Sequence, residues 1–321
     1  MTSLALIGEC MIELSPSADG RYGLAYAGDV CNTAVALSRR TADDGVDVRF
    51  VTRIGDDRHS HAMVALWRRE GIDTSLVELV PGRAPGLYMI SLQDDGERSF
   101  TYYRSESPAR ELFGDPAAAE RLAAALRGTD WVFLSAITLS LLDDAGHGRL
   151  LSLLDELRGD GSRVAVDTNY RPAGWPDRDL ARARVSDALA RADLALPTLD
   201  DEMELFGDED LDACVRRYRD LGAEVAIKLG GDGACVLDGG EPRRVPPQED
   251  VKIVDSTGAG DAFNAAYLAA RLAGADPVRA AAAGNALAAE TLGHRGAIPG
   301  GREASDQHHR ATPAFRRAGR R

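Results

Sequence analysis

Residues 252 to 268 read Lys252-Ile-Val-Asp255-Ser-Thr257-Gly258-Ala259-Gly260-Asp261-Ala-Phe263-Asn-Ala-Ala-Tyr267-Leu268, and this run carries the strongest chemical signal in the chain. It predicts a short apolar strand, a glycine turn and an alanine-rich helix, with a carboxylate at the junction. Gly258 and Gly260 let the backbone come close to a ligand. The N–H groups of the helix's first turn have no partner within the helix and point at that ligand, with the positive end of the helix dipole behind them. An oligophosphate suits such a place. The same N–H groups should hold Asp261 ionised, ready to take a proton from an alcohol lying against the phosphate. Taken alone, Gly258 to Asp261 reads equally well as a capped helix start whose aspartate only satisfies N–H groups.

Phosphoryl transfer asks for positioning, for positive potential around the moving group and for a base beside the attacking hydroxyl. Asp261 is the candidate base, and the N–H groups of Gly258, Ala259 and Gly260 are the candidate hole for the transferring group. No Gly-x-x-x-x-Gly-Lys-Ser/Thr segment exists, which excludes a P-loop mechanism. The first apolar run ends in Gly8-Glu9-Cys10 with no Gly-x-Gly-x-x-Gly, which argues against a Rossmann dinucleotide site. Lys228-Leu-Gly230-Gly231-Asp232-Gly233 reads as a strand followed by a glycine turn, an ordinary β-turn by itself. Asn169 and Arg171 follow the apolar run Val164 to Asp167 and fall at the strand end where open α/β sheets bind ligands.

The elements that must hold these residues alternate. Strand-length apolar runs at 4–7, 50–51, 131–135, 164–167, 194–197 and 225–229 are separated by helical patterns such as 118–126 and 150–157. That order predicts βαβ units around a mostly parallel sheet. Residues 9–28 and 78–104 break it with short strands and turn residues, notably a hairpin turn at Asp94-Asp95-Gly96. They read as a small β lid, or as extra edge strands with no closing motion.

At 321 residues and 44% hydrophobic content the chain can bury a large core, and disorder throughout is excluded. A net charge of −13 argues against a nucleic-acid partner or an anionic membrane surface. Lysine occurs only at 228 and 252, so arginine is the general basic residue and its type alone marks no function. Four cysteines without Cys-x-x-Cys spacing, and no long apolar span, point to a reducing cytoplasm. The scattered histidines give no zinc set. Residues 301–321 hold six arginines against two acids and read as a frayed, disordered basic tail.

With Asp255, Thr257 and Phe263 in place, the run around Asp261 resembles the carboxy-terminal signature of the ribokinase-like (PfkB) sugar kinases. Ala27-Gly28-Asp29-Val-Cys-Asn32-Thr-Ala34 resembles the family's early Gly-Gly-x-x-x-Asn-x-Ala element, with Ala27 in place of the first glycine. Ile54-Gly55-Asp56-Asp57, Leu66 and Gly71-Ile72-Asp73 are similar to its Gly-x-Asp segment. The likeness runs in order from about residue 4 to 296. Within the family it is greatest to the 2-keto-3-deoxygluconate kinases, through residues 7–15, Pro85-Gly86-Leu87-Tyr88, Tyr102-Tyr103-Arg104 and Asp167-Thr-Asn169-Tyr170-Arg171-Pro172.

The resemblance implies an α/β fold, a ribokinase-like three-layer α/β/α domain over residues 1–300 with a mostly parallel central sheet and the lid segments inserted. It implies ATP as phosphoryl donor, a small-molecule sugar acid as acceptor and Mg2+ between the phosphates. Lys228, Gly230, Gly231 and Gly233 would form the adenine-nucleotide loop, beside Gly258 and Gly260. Asn169 and Arg171 would face both nucleotide and substrate. Gly28 and Asn32 would contact sugar hydroxyls, with Asp261 as the catalytic base at the acceptor. Arg104, Tyr88 and Tyr102 would hold the substrate carboxylate. The family's Asn-x-x-Glu metal motif is altered to Thr198-Leu-Asp-Asp201-Glu202, so either Asp201 or Glu202 would reach the ion through water. A homo-oligomer is left open, as are a neutral-sugar kinase and a non-catalytic sugar sensor.

Overall fold

The computed structural model describes residues 2–16, 20–92 and 98–298. The expected turn at 94–96 and the tail at 301–321 lie outside these residues. Thirteen strands are described: β1 (Ser3–Ile7), β2 (Met11–Pro16), β3 (Tyr22–Ala27), β4 (Asp47–Gly55), β5 (Val77–Val80), β6 (Leu87–Leu92), β7 (Arg98–Tyr103), β8 (Trp131–Ser135), β9 (Arg163–Asp167), β10 (Leu194–Ala195), β11 (Glu224–Lys228), β12 (Ala234–Leu237) and β13 (Arg243–Val245). The helices are α1 (Asp29–Arg40), α2 (Arg58–Arg69), α3 (Pro116–Leu126), α4 (Ala136–Leu141), α5 (Asp144–Gly159), α6 (Arg178–Leu189), α7 (Leu199–Phe206), α8 (Leu211–Arg219), α9 (Ala259–Leu272) and α10 (Pro277–Leu292).

Nine strands form one sheet in the order β13-β12-β11-β10-β9-β8-β1-β4-β5. Neighbours from β5 through to β11 are parallel, and β12 and β13 close that edge antiparallel. Alternation along a strand sends successive side chains to opposite faces. In β1, Leu4 and Leu6 enter a core shared with α1, α2, α9 and α10, while Ala5 and Ile7 enter a second core shared with α3, α5, α6 and α8. The strands are therefore buried on both faces, as helix-covered parallel sheets are, and the three-layer α/β/α architecture stands.

A second sheet, ordered β3-β2-β6-β7, is the lid. It is mixed: β2 runs antiparallel to β3 but parallel to β6. The second lid segment is shorter than the expected 78–104. Val77–Val80 pairs in parallel with Thr52–Gly55 at the edge of the main sheet, because α2 is an ordinary crossover that returns the chain to the strand beside β4. No helix among the described residues is long and apolar enough to cross a membrane.

The helix α9 is fixed between α1 and α10. Its Phe263 ring lies so close to Gly284 of α10 that a Cβ there would stand 2.6 Å from Cδ2. Gly284→Ala should gain about 1 kcal/mol of helix propensity and lose about 1–3 kcal/mol to overpacking. A lower urea midpoint is therefore expected; an unchanged or raised midpoint would show that the α9–α10 contact is loose.

Candidate active site

The glycine turn forms as expected, but no strand precedes it. Residues 251–253 are irregular, with Ile253 69% and Val254 43% exposed. The edge of the sheet is already taken by β13, and the N–H groups of Val254 and Asp255 donate instead to the Leu292 carbonyl at the end of α10 (2.8 and 3.2 Å). Asp255 clamps the loop by accepting from the N–H groups of Thr257 and Gly296, both at 2.9 Å. Gly258 has φ +78°, and a Cβ would meet the Ala297 backbone at 2.7 Å, so glycine is needed there for the chain itself. Gly260 faces open space, with the Lys228 Nζ 3.9 Å from where its Cβ would stand. Among the described residues the N–H groups of Gly258, Gly260 and Asp261 have no acceptor, whereas that of Ala259 reaches Ser256 O at 3.4 Å. Ala259 is thus a weaker candidate donor to an anion than the sequence implies.

Asp261 is buried and is not held by the first-turn N–H groups. Its Oδ2 accepts from Asn32 Nδ2 at 2.8 Å, across the α9–α1 contact. Burial, and next the charge of Asp29, push its carboxyl up to about 7; Asn32 and Lys228 oppose the rise. The expectation of an aspartate kept ionised by amides is therefore corrected: the carboxylate turns toward α1, away from the helix start, and desolvation dominates. A base that titrates near neutral pH is well matched to proton transfer.

Around it, the C-terminal ends of the strands deliver polar groups. Lys228, at the end of β11, donates to Asp167 Oδ1 (3.0 Å) and Asn264 Oδ1 (3.1 Å), and Asn264 Nδ2 donates to Asp167 Oδ2 (2.7 Å). The lysine has three N–H bonds, so one remains for a ligand at the glycine turn. Gly230 and Gly231 face open space, but a Cβ on Gly233 would run into the Val245 carbonyl, so Gly233 serves the strand crossing. Asn169 donates to Asp29 Oδ2 at 3.0 Å. Asn32 also accepts from the Gly28 N–H at 3.4 Å, which sets the direction of its amide.

Arg171 donates to Asp201 Oδ1 at 3.0 Å. Burial pushes Asp201 up to about 6, while Arg171 pulls it back. Glu202 points the other way: fully buried, it accepts from Thr168, Arg217 and Tyr218. Of the two acids left open by the sequence, Asp201 is the one beside Arg171. Glu202, Asp208 and Cys214 lie together like metal ligands. The Arg217 guanidinium already occupies their centre, donating to Glu202 at 2.5 Å and Asp208 at 2.6 Å.

Between the lid and residues 172–175 opens a cavity of about 560 Å³, lined by Tyr102, Arg104, Arg110 and Arg171 among others. Arg104 is held by the buried carboxylate of Glu9, while its own Nε is buried without an acceptor. Tyr88 is not on this cavity. Its hydroxyl donates to Glu13, and its ring packs with Met11, Ala27 and Ile90 inside the lid. Asp29, Asp167, Asn264, Glu9 and Arg110 had no role in the sequence reading. Asp29 was detectable as the residue one helical turn before Asn32, and Asp167 as a strand-end acid next to Asn169. Nothing in the sequence pairs Glu9 with Arg104.

The family model described as pfkB family carbohydrate kinase matches residues 1–304. A 2-dehydro-3-deoxygluconokinase of Dickeya dadantii (strain 3937) is 41% identical over 303 residues, covering 92% of this chain and 96% of that protein. Among solved structures, a 2-dehydro-3-deoxygluconokinase from Thermotoga maritima superposes with a TM-score of 0.78 at 24% identity, covering 93% of this chain and 96% of that one. A fructokinase from Vibrio cholerae O395, bound to fructose, ADP and calcium ion, superposes with a TM-score of 0.80 at 23% identity, covering 93% and 95%.

The two glycines of the turn should respond differently to substitution. Gly260→Val should leave the unfolding midpoint near that of the parent yet abolish most turnover, because the side chain fills the space before the free N–H groups. Gly258→Val should mainly destabilise the fold. Unchanged kinetics in Gly260→Val would show that no anion meets the turn.

Proposed function

The chain belongs to the pfkB family of carbohydrate kinases, and from that premise we propose that it moves the terminal phosphoryl group of ATP onto the primary hydroxyl of 2-keto-3-deoxygluconate (2-dehydro-3-deoxygluconate), giving the 6-phosphate. The observation that carries the substrate reading is the cavity bearing Arg104, Arg110 and Arg171 in a chain of net charge −13. Arg171 is paired with Asp201 and serves the nucleotide side, but Arg104 and Arg110 offer a carboxylate partners that a neutral sugar would not need. Arg104 lines this cavity with its guanidinium already oriented by Glu9, a fixed fork that suits a ligand carboxylate.

In the reaction the acceptor hydroxyl lies against Asp261, which takes its proton as the new P–O bond forms. The amide of Asn32 keeps the carboxylate aimed. The free N–H groups at the start of α9 and the remaining N–H of Lys228 meet the negative charge on the phosphoryl oxygens without having to reorganise. Gly230 and Gly231 leave open backbone for the nucleotide, and Arg171 stands between nucleotide and acceptor. Asp201 fits a water-bridged Mg2+ better than Glu202 does: among the described residues it accepts only from Arg171, whereas Glu202 is enclosed by Thr168, Arg217 and Tyr218. Such an ion, when bound, would neutralise charge on the phosphates. Tyr102 and Arg104 hold the acid end of the substrate beneath the lid, with Gly28 backing the Asn32 helix start. Tyr88 supports the lid through Glu13 and acts on the substrate only indirectly. The four cysteines are buried free thiols, which suits a reducing cytoplasm.

A coupled ADP-release assay across sugars and sugar acids tests this reading. 2-Keto-3-deoxygluconate should give the highest kcat/KM, and Arg104→Ala should lower it by about 2–5 kcal/mol in transition-state terms. An analogue whose carboxylate is reduced to an alcohol should lose little. The substitution also strands Glu9, but both substrates meet the same damaged lid, so their ratio isolates the charge contact. Equal losses would put the neutral-sugar reading ahead.

A further inference from the structure

Charge balance singles out one of the three arginines on the lid cavity. Arg104 stands against Glu9, and Arg171 against Asp201 at 3.0 Å, so each of these guanidinium groups brings its own counter-charge. Arg110 is exposed and has no acceptor among the described residues, and none of the residues lining the cavity is an acid. Its neighbour Glu111 is taken by two other arginines: Oε1 accepts from Arg83 at 3.1 Å, and Oε2 lies 3.7 Å from Arg53. The main chain at Arg110 is nonetheless fixed. The Arg104 carbonyl accepts from the Ser107 N–H and the Ser107 carbonyl from the Arg110 N–H, both at 3.1 Å, so two successive turns join the two arginines. Between them Pro108 and Ala109 are buried, Ala109 in the core shared with α3 and α5.

We propose that Arg110 determines the selectivity for an acid: it supplies the net positive charge of the cavity and donates to the substrate carboxylate on the side that Arg104 leaves open. A carboxylate offers about four acceptor sites. Arg104 alone does not fill them, because one arm of its fork is held by Glu9 and its Nε is buried. The two arginines therefore divide the work. Arg104, neutralised by Glu9, fixes the direction of approach, and Arg110 carries the preference for negative charge. In a chain of net charge −13 an anionic acceptor is repelled overall, and a free guanidinium at the cavity offsets that repulsion locally. An exposed charge is screened by salt, whereas a buried ion pair is screened much less, so the contribution of Arg110 is the salt-sensitive one.

This inference rests on the sugar-acid reading above, so its test separates the two. Arg110→Ala and Arg110→Lys are assayed with 2-keto-3-deoxygluconate and with its carboxylate-reduced alcohol, at low and at high ionic strength. The readout is the ratio of the two kcat/KM values, in which general damage to the fold cancels. In the parent the ratio should favour the acid and fall as salt rises. Arg110→Ala should lower the low-salt ratio by roughly 10- to 100-fold, through KM for the acid rather than kcat, and flatten its salt dependence. Arg110→Lys keeps the charge and loses the fork, so the salt dependence should return while the ratio recovers only in part. An unchanged ratio in Arg110→Ala, or a lowered ratio with the parent's salt dependence, overturns the proposal and leaves the sugar-acid reading standing. A parent with no preference for the acid overturns both.

Discussion

Two buried carboxylates, those of Asp167 and Asp261, and the half-buried Asp29 gather at one end of the main sheet, and the rest of the site is arranged around keeping them there. Like charges a few ångströms apart repel by on the order of 4 kcal/mol even at an effective dielectric of 20. Lys228 answers this from the end of β11 by pairing with Asp167, and Asn264 closes the triangle from α9. Removing the lysine would leave an uncompensated buried charge, typically a loss of about 3–5 kcal/mol. The amides of Asn32 and Asn169 complete the set. They satisfy oxygens, and although Asn32 opposes the rise, burial and after it the charge of Asp29 lift Asp261 into the range useful to a base.

The same logic extends outward in two directions. On one side the Glu202–Arg217–Asp208 network anchors the start of α7 and, through Thr168, the loop that carries Asn169 and Arg171. Asp201 is left at the edge of that anchor, next to Arg171. On the other side the lid brings its own buried acids, Glu9 and Glu13, each bound to the side chain it positions. Arg104 is thereby presented with one part of its fork already taken. In the proposed reading a substrate carboxylate would meet a guanidinium of fixed orientation, which adds geometric selectivity to charge attraction.

Much of this was readable from the chain. The βαβ order followed from apolar runs of strand length, and the helix after Gly258 from alanine and glycine content. The likeness of spaced motifs extended the reading to the lid and to the nucleotide loop. What failed were points where tertiary context overrides local pattern. Lys252 to Val254 looks like a strand, yet the sheet edge beside it was filled by Arg243–Val245 and the segment pairs with a helix end. Asp261 at a helix start suggests ionisation by N–H groups, yet its orientation toward Asn32 is a fact of how α1 and α9 meet. Val77–Val80 looks like lid but belongs to the main sheet, a matter of where a crossover helix returns the chain. Pairings such as Glu9 with Arg104, separated by 95 positions, leave no local trace. The choice between Asp201 and Glu202 needed the orientation of α7.

The central claim is that Asp261 accepts the proton from the substrate hydroxyl, and Asp261→Asn tests it most directly, because the amide preserves size and still meets Asn32. Calorimetry should show ATP and 2-keto-3-deoxygluconate binding close to that of the parent, with turnover lower by roughly 100- to 10,000-fold. Near-parental turnover in the folded variant would contradict the account.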